Sequence, residues 1–300
     1  MLVRQCVVAG QFYPGSAGEC RAEVKACLAQ AASLSTSREY RQAFQRIQGG
    51  IVPHAGWMCS GAVAAGAFEV LATDTSIETY VLFGAVHRLL SPLGAVYAGS
   101  AWRSPLGEVA VDQTLAEAAL QGSSLLTYDP DSHDLEHSIE VQIPFVQHLA
   151  PSAKILPIMV PPVASAHEIG RAVAEQVDRL GRKAVFVGSS DLTHYGPRYH
   201  FTPKGSGAAA LHWAKDVNDR RLIDKILRLE ADQIVGEAMT HHNACGSGAI
   251  AATLAACVQM GADHAELLQH TTSCEVLAER LGHSTDAVGY AGIIVGRSAS

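Results

Sequence analysis

The sequence predicts an α/β fold: a single domain over residues 1–300 in which helices flank a mainly parallel or mixed central sheet. Short apolar segments of strand length recur along the chain, and segments with helical character separate them. The strand candidates lack the alternation of a half-exposed sheet, as expected for strands that helices cover on both faces. With 48% hydrophobic residues in 300, the chain is long enough to form a sizeable core around such a sheet.

The order of the predicted elements supports this fold class over most of the chain, because strands and helices alternate. The strands predicted first are Gly50–Pro53, Tyr80–Gly84, Lys154–Val160 and Lys183–Gly188. The helices predicted beside them are Ser60–Leu71, Leu135–Leu149 and Ala164–Arg179. Toward the C-terminus, the predicted helices are Ala208–Leu229 and Cys245–Val258, and the predicted strands are Ala265–Thr272 and Asp286–Val295. Two segments, Ser33–Ser37 and Thr202–Gly207, are typical of surface loops.

Composition and charge exclude several classes of protein. The net charge is −7 and no long basic run occurs, so a nucleic-acid or anionic-membrane surface is not expected. No uninterrupted apolar run reaches membrane-spanning length, and the apolar stretch at the N-terminus is too short for a signal peptide, so we expect a cytoplasmic protein. The seven cysteines contain no CxxC pair, which predicts mostly reduced, small core residues. The informative excess is the 14 histidines, because imidazole suits metal binding and proton transfer.

Polar side chains follow three of the predicted strands. His54 follows the first, His87 the second, and Asp191 and His194 the fourth. Ligands of open α/β sheets bind outside the carboxyl ends of the strands, so these residues are expected to converge. Cys245 lies in a glycine-rich turn before a helix, where the helix dipole favours a thiolate. Taken singly, each histidine has a structural alternative, and an inert buried thiol is the alternative for Cys245.

A further pair, His137 and Glu140, lies in the predicted helix Leu135–Leu149. At spacing i and i+3 the two side chains share one helix face. Such a pair can bind a metal, relay protons or orient a metal ligand, and an ordinary surface pair is the alternative.

The long separations between His54, His87 and Cys245 exclude a compact zinc-finger loop, so any metal site must be assembled by the fold. Three protein ligands with open positions are typical of catalytic metals, and two imidazoles with one thiolate accept Fe(II), Zn(II) or copper. His194 and Asp191 are then an acid/base pair. The sequence contains no G-x-S-x-G, P-loop or G-x-G-x-x-G element that would indicate an esterase or a nucleotide-binding protein.

Eight motifs, in this order, resemble the Memo family, whose microbial members are also called AmmeMemoRadiSam system protein B: GQFYPGS, VPHAGWMCSG, FGAVH, HSIEVQIPF, KILPIMV, GSSDLTHYG, ACGSGAI and VGYAGIIV. The resemblance covers nearly the whole chain. It implies a fold similar to class III extradiol dioxygenases, which hold non-haem Fe(II) with two histidines and a carboxylate. It also allows for partner proteins of a radical SAM system.

Carried onto this chain, the resemblance implies the metal ligands His54, His87 and Cys245 and the acid/base residue His194. Asp191, His137 and Glu140 are then expected to line the cleft. The chain departs from the dioxygenases in having Cys245 where they have a carboxylate. The segment around His87 also lacks the proline and second histidine of the family motif, and Arg88 there changes the charge at the cleft.

The function expected from this reading is a non-haem Fe(II)-dependent redox or dioxygenase-like enzyme that acts on a small, aromatic or catechol-like molecule. Zn(II) and copper are the alternative metals. Two other classes stay open: a non-catalytic protein that binds metal or a peptide in the same cleft, and a zinc-dependent hydrolase with Glu140 or His194 as the base.

Overall fold

A nine-stranded mixed sheet runs through the centre of the computed structural model, which describes residues 2–34, 42–88, 91–282 and 284–299. A separate sheet contains three short strands. The strands are β1 (Val3–Arg4), β2 (Phe44–Val52), β3 (Thr79–Gly84), β4 (Gly94–Val96), β5 (Ala101–Ser104), β6 (Gly107–Ala110), β7 (Leu126–Tyr128), β8 (Lys154–Met159), β9 (Ala184–Ser189), β10 (His194–Tyr195), β11 (His264–Thr272) and β12 (Ala287–Ser298).

Helices cover both faces of the large sheet. They are α1 (Ala17–Leu34), α2 (Trp57–Leu71), α3 (Gln113–Gly122), α4 (Asp131–Asp134), α5 (Ile143–Leu149), α6 (Ala166–Arg179), α7 (Ala208–Trp213), α8 (Arg220–Leu227), α9 (Ile234–His241), α10 (Ser247–Gln259), α11 (Ser273–Val276) and α12 (Ala278–Leu281). A π-helical turn, Ala214–Asp219, joins α7 to α8, and 3-10 turns cover Glu140–Gln142, Pro197–Tyr199 and Ala231–Gln233.

Four neighbouring strands in the middle of the large sheet are parallel, in the order β2, β9, β3, β8. Their side chains are apolar on both faces: Val81 and Phe83 belong to one hydrophobic cluster, and Tyr80 and Leu82 belong to the other. Because the four strands run in the same direction, their carboxyl ends lie along one edge of the sheet. The predicted α/β class is therefore confirmed, as are the four predicted strands.

The outer strands make the sheet mixed. β12 is antiparallel to β2, β11 pairs with residues 289–296 of β12, and β4 is antiparallel to β8. The C-terminal strands were both predicted. β2 begins six residues earlier than the predicted strand, because residues 44–47 pair with the end of β12.

One glycine allows two of the helices, α6 and α10, to pack in close contact. A Cβ atom on Gly170 of α6 would lie 1.9 Å from the carbonyl oxygen of Ala252 in α10. The two helices can therefore touch backbone to backbone only with glycine at this position.

The predicted helix Leu135–Leu149 is wrong over its first half. Residues 135–139 are turns or irregular structure, and regular α-helical structure resumes only at Ile143. The Glu136 carboxylate accepts the backbone N–H groups of His137 and Ser138 at 2.8 Å, and the second of these would bond to the carbonyl oxygen of residue 134 in the predicted helix. A local side-chain partner thus competes with the helix.

The other differences concern the C-terminal half and the less regular elements. The predicted helix Ala208–Leu229 is interrupted by the π-helical turn, and α10 begins at Ser247 rather than Cys245. The loop at Thr202–Gly207 is confirmed, whereas most of Ser33–Ser37 lies outside the described residues.

Within the ranges that the structure describes, none of the helices is long and apolar enough to cross a membrane.

A buried arginine near the N-terminus anchors the segment between α4 and α5. Arg4 donates to the Glu140 carboxylate, to the carbonyl oxygen of Glu136 at 2.6 Å and to that of His133 at 3.1 Å. Its guanidinium also lies 4.4 Å over the ring of Trp102. Glu140 further accepts backbone N–H groups from residues 7 and 8 and the Tyr13 hydroxyl, so one carboxylate joins the N-terminal segment to this region.

We expect Glu140→Gln to destabilise the fold strongly, because it leaves the Arg4 charge buried without its partner. Both side chains of the pair are 1% exposed. Breaking such a pair costs about 3–5 kcal/mol of unfolding free energy, measurable by urea denaturation. Glu108→Gln, which breaks an exposed pair with Arg103, is the control and should cost at most about 1 kcal/mol. Equal losses in the two variants would contradict the anchoring role of Glu140.

His133 is the second buried polar group of this region. It lies between the rings of Tyr97 and Trp102 and donates from Nε2 to the carbonyl oxygen of Ala95 at 3.0 Å. Burial lowers the pKa of His133 to about 4, so the imidazole is neutral at physiological pH.

This pKa predicts a loss of stability in acid. In the unfolded chain His133 takes up a proton near its ordinary value of 6.5, whereas in the folded protein it does so only near about 4. Stability therefore falls as the pH drops through this window, by up to about 3 kcal/mol from this residue. Urea denaturation at a series of pH values should give a flatter profile for His133→Phe than for the parent. Parallel profiles would show that His133 titrates normally.

Candidate metal centre

Three of the four parallel strands end at the candidate site. His54 follows β2 by two residues, His87 follows β3 by three, and Asp191 follows β9 by two. β9 lies between β2 and β3, so the three chain segments emerge side by side. The Asp191 carboxylate accepts the backbone N–H of His54 at 2.7 Å, which joins two of these segments directly.

Three imidazoles form a compact cluster at this edge. One ring nitrogen from each of His54, His87 and His137 lies within 4.8 Å of the other two. The ring centres are 5.1 Å apart for His54 and His87, 5.4 Å for His54 and His137, and 4.7 Å for His87 and His137. Such a set can hold a metal ion. The structure therefore brings together two predicted metal ligands, with His137 as a third imidazole.

Hydrogen bonds fix the tautomers of two of these histidines. The Ser189 hydroxyl donates to the carbonyl oxygen of Ser138 at 2.7 Å, so it accepts from His54 Nδ1 at 3.0 Å. His87 Nδ1 lies 3.0 Å from both oxygens of the Glu136 carboxylate and donates to them. With Nδ1 protonated in both rings, the lone pairs of the Nε2 atoms are available to a ligand.

Electrostatics keep His54 and His137 neutral. Burial, together with repulsion from the neighbouring imidazoles, holds the pKa of His54 well below its usual value, and burial lowers the pKa of His137. Burial also disfavours protonation of His87, but the hydrogen bond and charge of Glu136 outweigh it and raise the pKa of His87. Contact with His87 likewise keeps the pKa of Glu136 well below its usual range, against the effect of burial.

Cys245 contacts this cluster through His54. Its Sγ atom lies 3.1 Å from Nε2 of His54, whereas the other ring nitrogen of His54, Nδ1, binds Ser189. Gly246 permits the approach, since a Cβ there would lie 2.3 Å from the carbonyl oxygen of Ser189. Burial raises the pKa of the Cys245 thiol, so it is protonated in the absence of a bound cation.

His194 and Asp191 line a cleft next to the imidazole cluster. The cleft has a volume of about 470 Å³, and Phe12 forms part of its wall while its ring packs 4.8 Å from the His137 ring. His194 Nδ1 donates to the carbonyl oxygen of Leu192 at 3.1 Å, which leaves its other nitrogen free to exchange a proton. Burial raises the pKa of Asp191.

A second opening reaches the imidazoles from another side. It has a volume of about 620 Å³ and is lined by His87, His137 and Arg88 together with the exposed Leu135. This cavity therefore borders two of the three imidazoles directly, whereas the cleft near His194 is lined by none of them.

The expectation that Glu140 shares a helix face with His137 is wrong, because His137 precedes the helical segment. Glu140 is buried, and its two oxygens accept bonds from Arg4, Tyr13 and two backbone N–H groups. Glu140 therefore joins the N-terminal segment to the region between α4 and α5. A catalytic role for Glu140 has no support in this geometry.

Sequence reasoning missed the two residues that orient the imidazoles, Ser189 and Glu136. Ser189 lies inside the motif GSSDLTHYG, and Glu136 directly precedes the motif HSIEVQIPF. A carboxylate next to a histidine of a suspected metal site was a signal for Glu136, whereas nothing in the sequence distinguishes Ser189 from Ser190.

The π-helical turn supports the loop that carries Asp191 and His194. Asp219 accepts the backbone N–H of Thr193 at 2.9 Å and the His270 imidazole at 3.0 Å, and Asn218 donates to the Thr193 hydroxyl at 3.0 Å. A Cβ on Gly289 would lie 2.0 Å from Asp219, so only glycine fits there.

The fold and the site together define a class: an α/β protein with a histidine-rich candidate metal centre at the carboxyl edge of its parallel strands. The chain belongs to the Memo family, because the profile of Memo-like proteins matches residues 4–294. The family predicted from the eight motifs is thereby confirmed.

Relatives of the whole chain agree with this membership. The MEMO1 family protein of Thermococcus onnurineus is 35% identical over 301 residues, which cover 98% of this chain and 99% of the relative. That of Methanosarcina barkeri is 38% identical over 299 residues, with 98% and 100% coverage. The crystal structure of an uncharacterized protein from Escherichia coli shares the fold, with a TM-score of 0.55 at 13% identity over 84% of this chain and 100% of that chain.

We expect Asp219→Ala to loosen the loop that carries Asp191 and His194, because the Thr193 N–H loses its buried acceptor. The cost should be about 1–3 kcal/mol of unfolding free energy, and amide hydrogen exchange in residues 192–194 should accelerate. Asp224→Ala, at a half-exposed residue of α8 that pairs with Arg220, is the control and should leave this exchange unchanged. Unaltered exchange in Asp219→Ala would contradict the supporting role.

Proposed function

We propose that this protein is a non-haem metalloenzyme that carries out redox or dioxygenase-like chemistry on a small molecule. The observation that carries the proposal is the cluster of three imidazoles, with ring nitrogens within 4.8 Å of one another. Two of the rings have Nδ1 occupied by Ser189 or Glu136, which leaves Nε2 as the donor atom. Oriented Nε2 atoms of this kind suit a transition metal, which binds the neutral form of each imidazole.

His54 and His87 would hold the metal, with Cys245 as the third ligand. The family resemblance supports Cys245, and so does its contact with His54 Nε2. Metal binding deprotonates a thiol even when burial has raised its pKa. His137 stands beside these ligands and supplies a further nitrogen donor. Fe(II) is the metal we favour, and Zn(II) and copper also suit this donor set.

When bound, such a metal supplies Lewis acidity and, as iron or copper, electron transfer. The chain's own groups supply the rest. His194 borders the cleft and can accept or donate a proton at its free ring nitrogen. Asp191 fixes the backbone of His54 and lies at the base of the same cleft. Phe12 lines the cleft and packs its ring edge-on against His137, so an aromatic ring lies next to the imidazole cluster.

A zinc-dependent hydrolase is the second candidate, but Glu140 is engaged by Arg4, so only His194 is left as its base. The third reading, a protein that binds metal or peptide without turnover, predicts the same occupied centre and no reaction.

These readings differ in their response to metal exchange. Iron-loaded protein should consume O₂ with some member of a panel of small aromatic molecules, and zinc-loaded protein should not. Hydrolysis restored by zinc, or binding without turnover with either metal, would overturn the proposal.

Metal analysis of protein purified without oxygen tests the ligands. The parent should contain near-stoichiometric metal, and His87→Gln and Cys245→Ser should lose most of it because each removes a donor atom. Cys274→Ser, which changes a partly buried cysteine lining the cleft, is the matched control and should retain the metal. If Cys245→Ser binds as much metal as the parent while His137→Asn does not, the third ligand is His137. Metal retained in His87→Gln would overturn the proposed centre.

A further inference from the structure

The cleft beside the imidazole cluster combines aromatic walls with one arginine. Phe12, Tyr199 and Tyr290 contribute rings to its lining, and His194 packs 5.1 Å from the ring of Tyr199. A volume of about 470 Å³ lies within the range of sites for small organic molecules. The cleft therefore suits a molecule with a planar, apolar body.

Arg198 also lines this cleft, and among the residues described its guanidinium forms no ion pair or hydrogen bond. The nearby carboxylate of Asp286 accepts the backbone N–H of Arg198 at 2.9 Å and the Thr285 hydroxyl at 3.1 Å. This bond fixes the position of the Arg198 backbone at the cleft. The N–H groups of the guanidinium stay available to a ligand. A guanidinium with free donors matches a carboxylate in both charge and geometry.

The second carboxylate of the cleft does not neutralise Arg198 either. Asp191 is buried and accepts the backbone N–H of His54, so one oxygen is committed on the side of the imidazole cluster. Arg198, in contrast, is exposed at the cleft. The cationic group thus lies on the solvent side of the cleft, and the proton-transferring His194 lies toward the metal centre.

We propose that the cleft binds a small organic anion whose carboxylate pairs with Arg198 and whose planar body lies among Phe12, Tyr199 and Tyr290. This inference rests on the proposed function in that the bound molecule is the substrate of the same site. It places the reacting end of the substrate toward His194 and the anionic end toward solvent. It also assigns the substrate to the cleft and not to the opening that His87, His137 and Arg88 line.

The test compares benzoate with benzamide, which has a similar shape and no charge. Binding of each probe is measured by isothermal titration calorimetry, on metal-free and on iron-loaded protein. We expect the parent to bind benzoate more tightly than benzamide in both forms. Arg198→Gln should weaken benzoate binding by about tenfold, the effect of one lost charge-assisted pair, and should leave benzamide binding unchanged. Arg198→Lys should restore part of the preference.

Arg88→Gln is the matched control, because Arg88 is an exposed arginine at the other opening of the same centre. It should leave benzoate binding unchanged. Equal affinity of the parent for the two probes, or loss of the benzoate preference in Arg88→Gln and not in Arg198→Gln, would overturn the inference. The metal-free measurements separate this result from the proposed function: a protein that binds no metal at the imidazoles but shows an Arg198-dependent preference refutes the metalloenzyme and keeps the anion site.

Discussion

The geometry of the candidate metal centre depends on a buried arginine far from it in sequence. Arg4 bonds the side chain of Glu140 and the backbone of Glu136 and His133, and so holds a segment that has little regular structure of its own. That segment supplies His137 to the cluster and the carboxylate that orients His87. Burying the Arg4 charge without these partners would be costly. Loss of the Arg4 contacts is therefore expected to disrupt the candidate metal centre as well.

The parts of the site that the sequence predicted are those that follow directly from the sheet. His54, His87 and Asp191 each follow a buried apolar strand, and parallel strands place their carboxyl ends at one edge whatever the details of packing. The fold class follows from the same strands. These features depend on local pattern and on one general rule, which is why a single sequence was sufficient.

The rest of the site depends on contacts that no local pattern encodes. The spacing of His137 and Glu140 suggested a shared helix face, but Glu136 accepts the backbone N–H groups of the two residues after it, and Glu140 pairs with Arg4. The partners of Glu140 lie more than 120 residues away in sequence. In the same way, the π-helical turn is invisible in the sequence, although it brings Asp219 beneath Thr193.

The separation of the two cavities has a consequence for the kinetics of the proposed reaction. The cleft near His194 and Tyr199 shares no lining residue with the cavity beside His87 and Leu135, so a molecule in one leaves the other unobstructed. If the proposed reaction uses two co-reactants, one in each cavity, we expect them to bind in random rather than compulsory order.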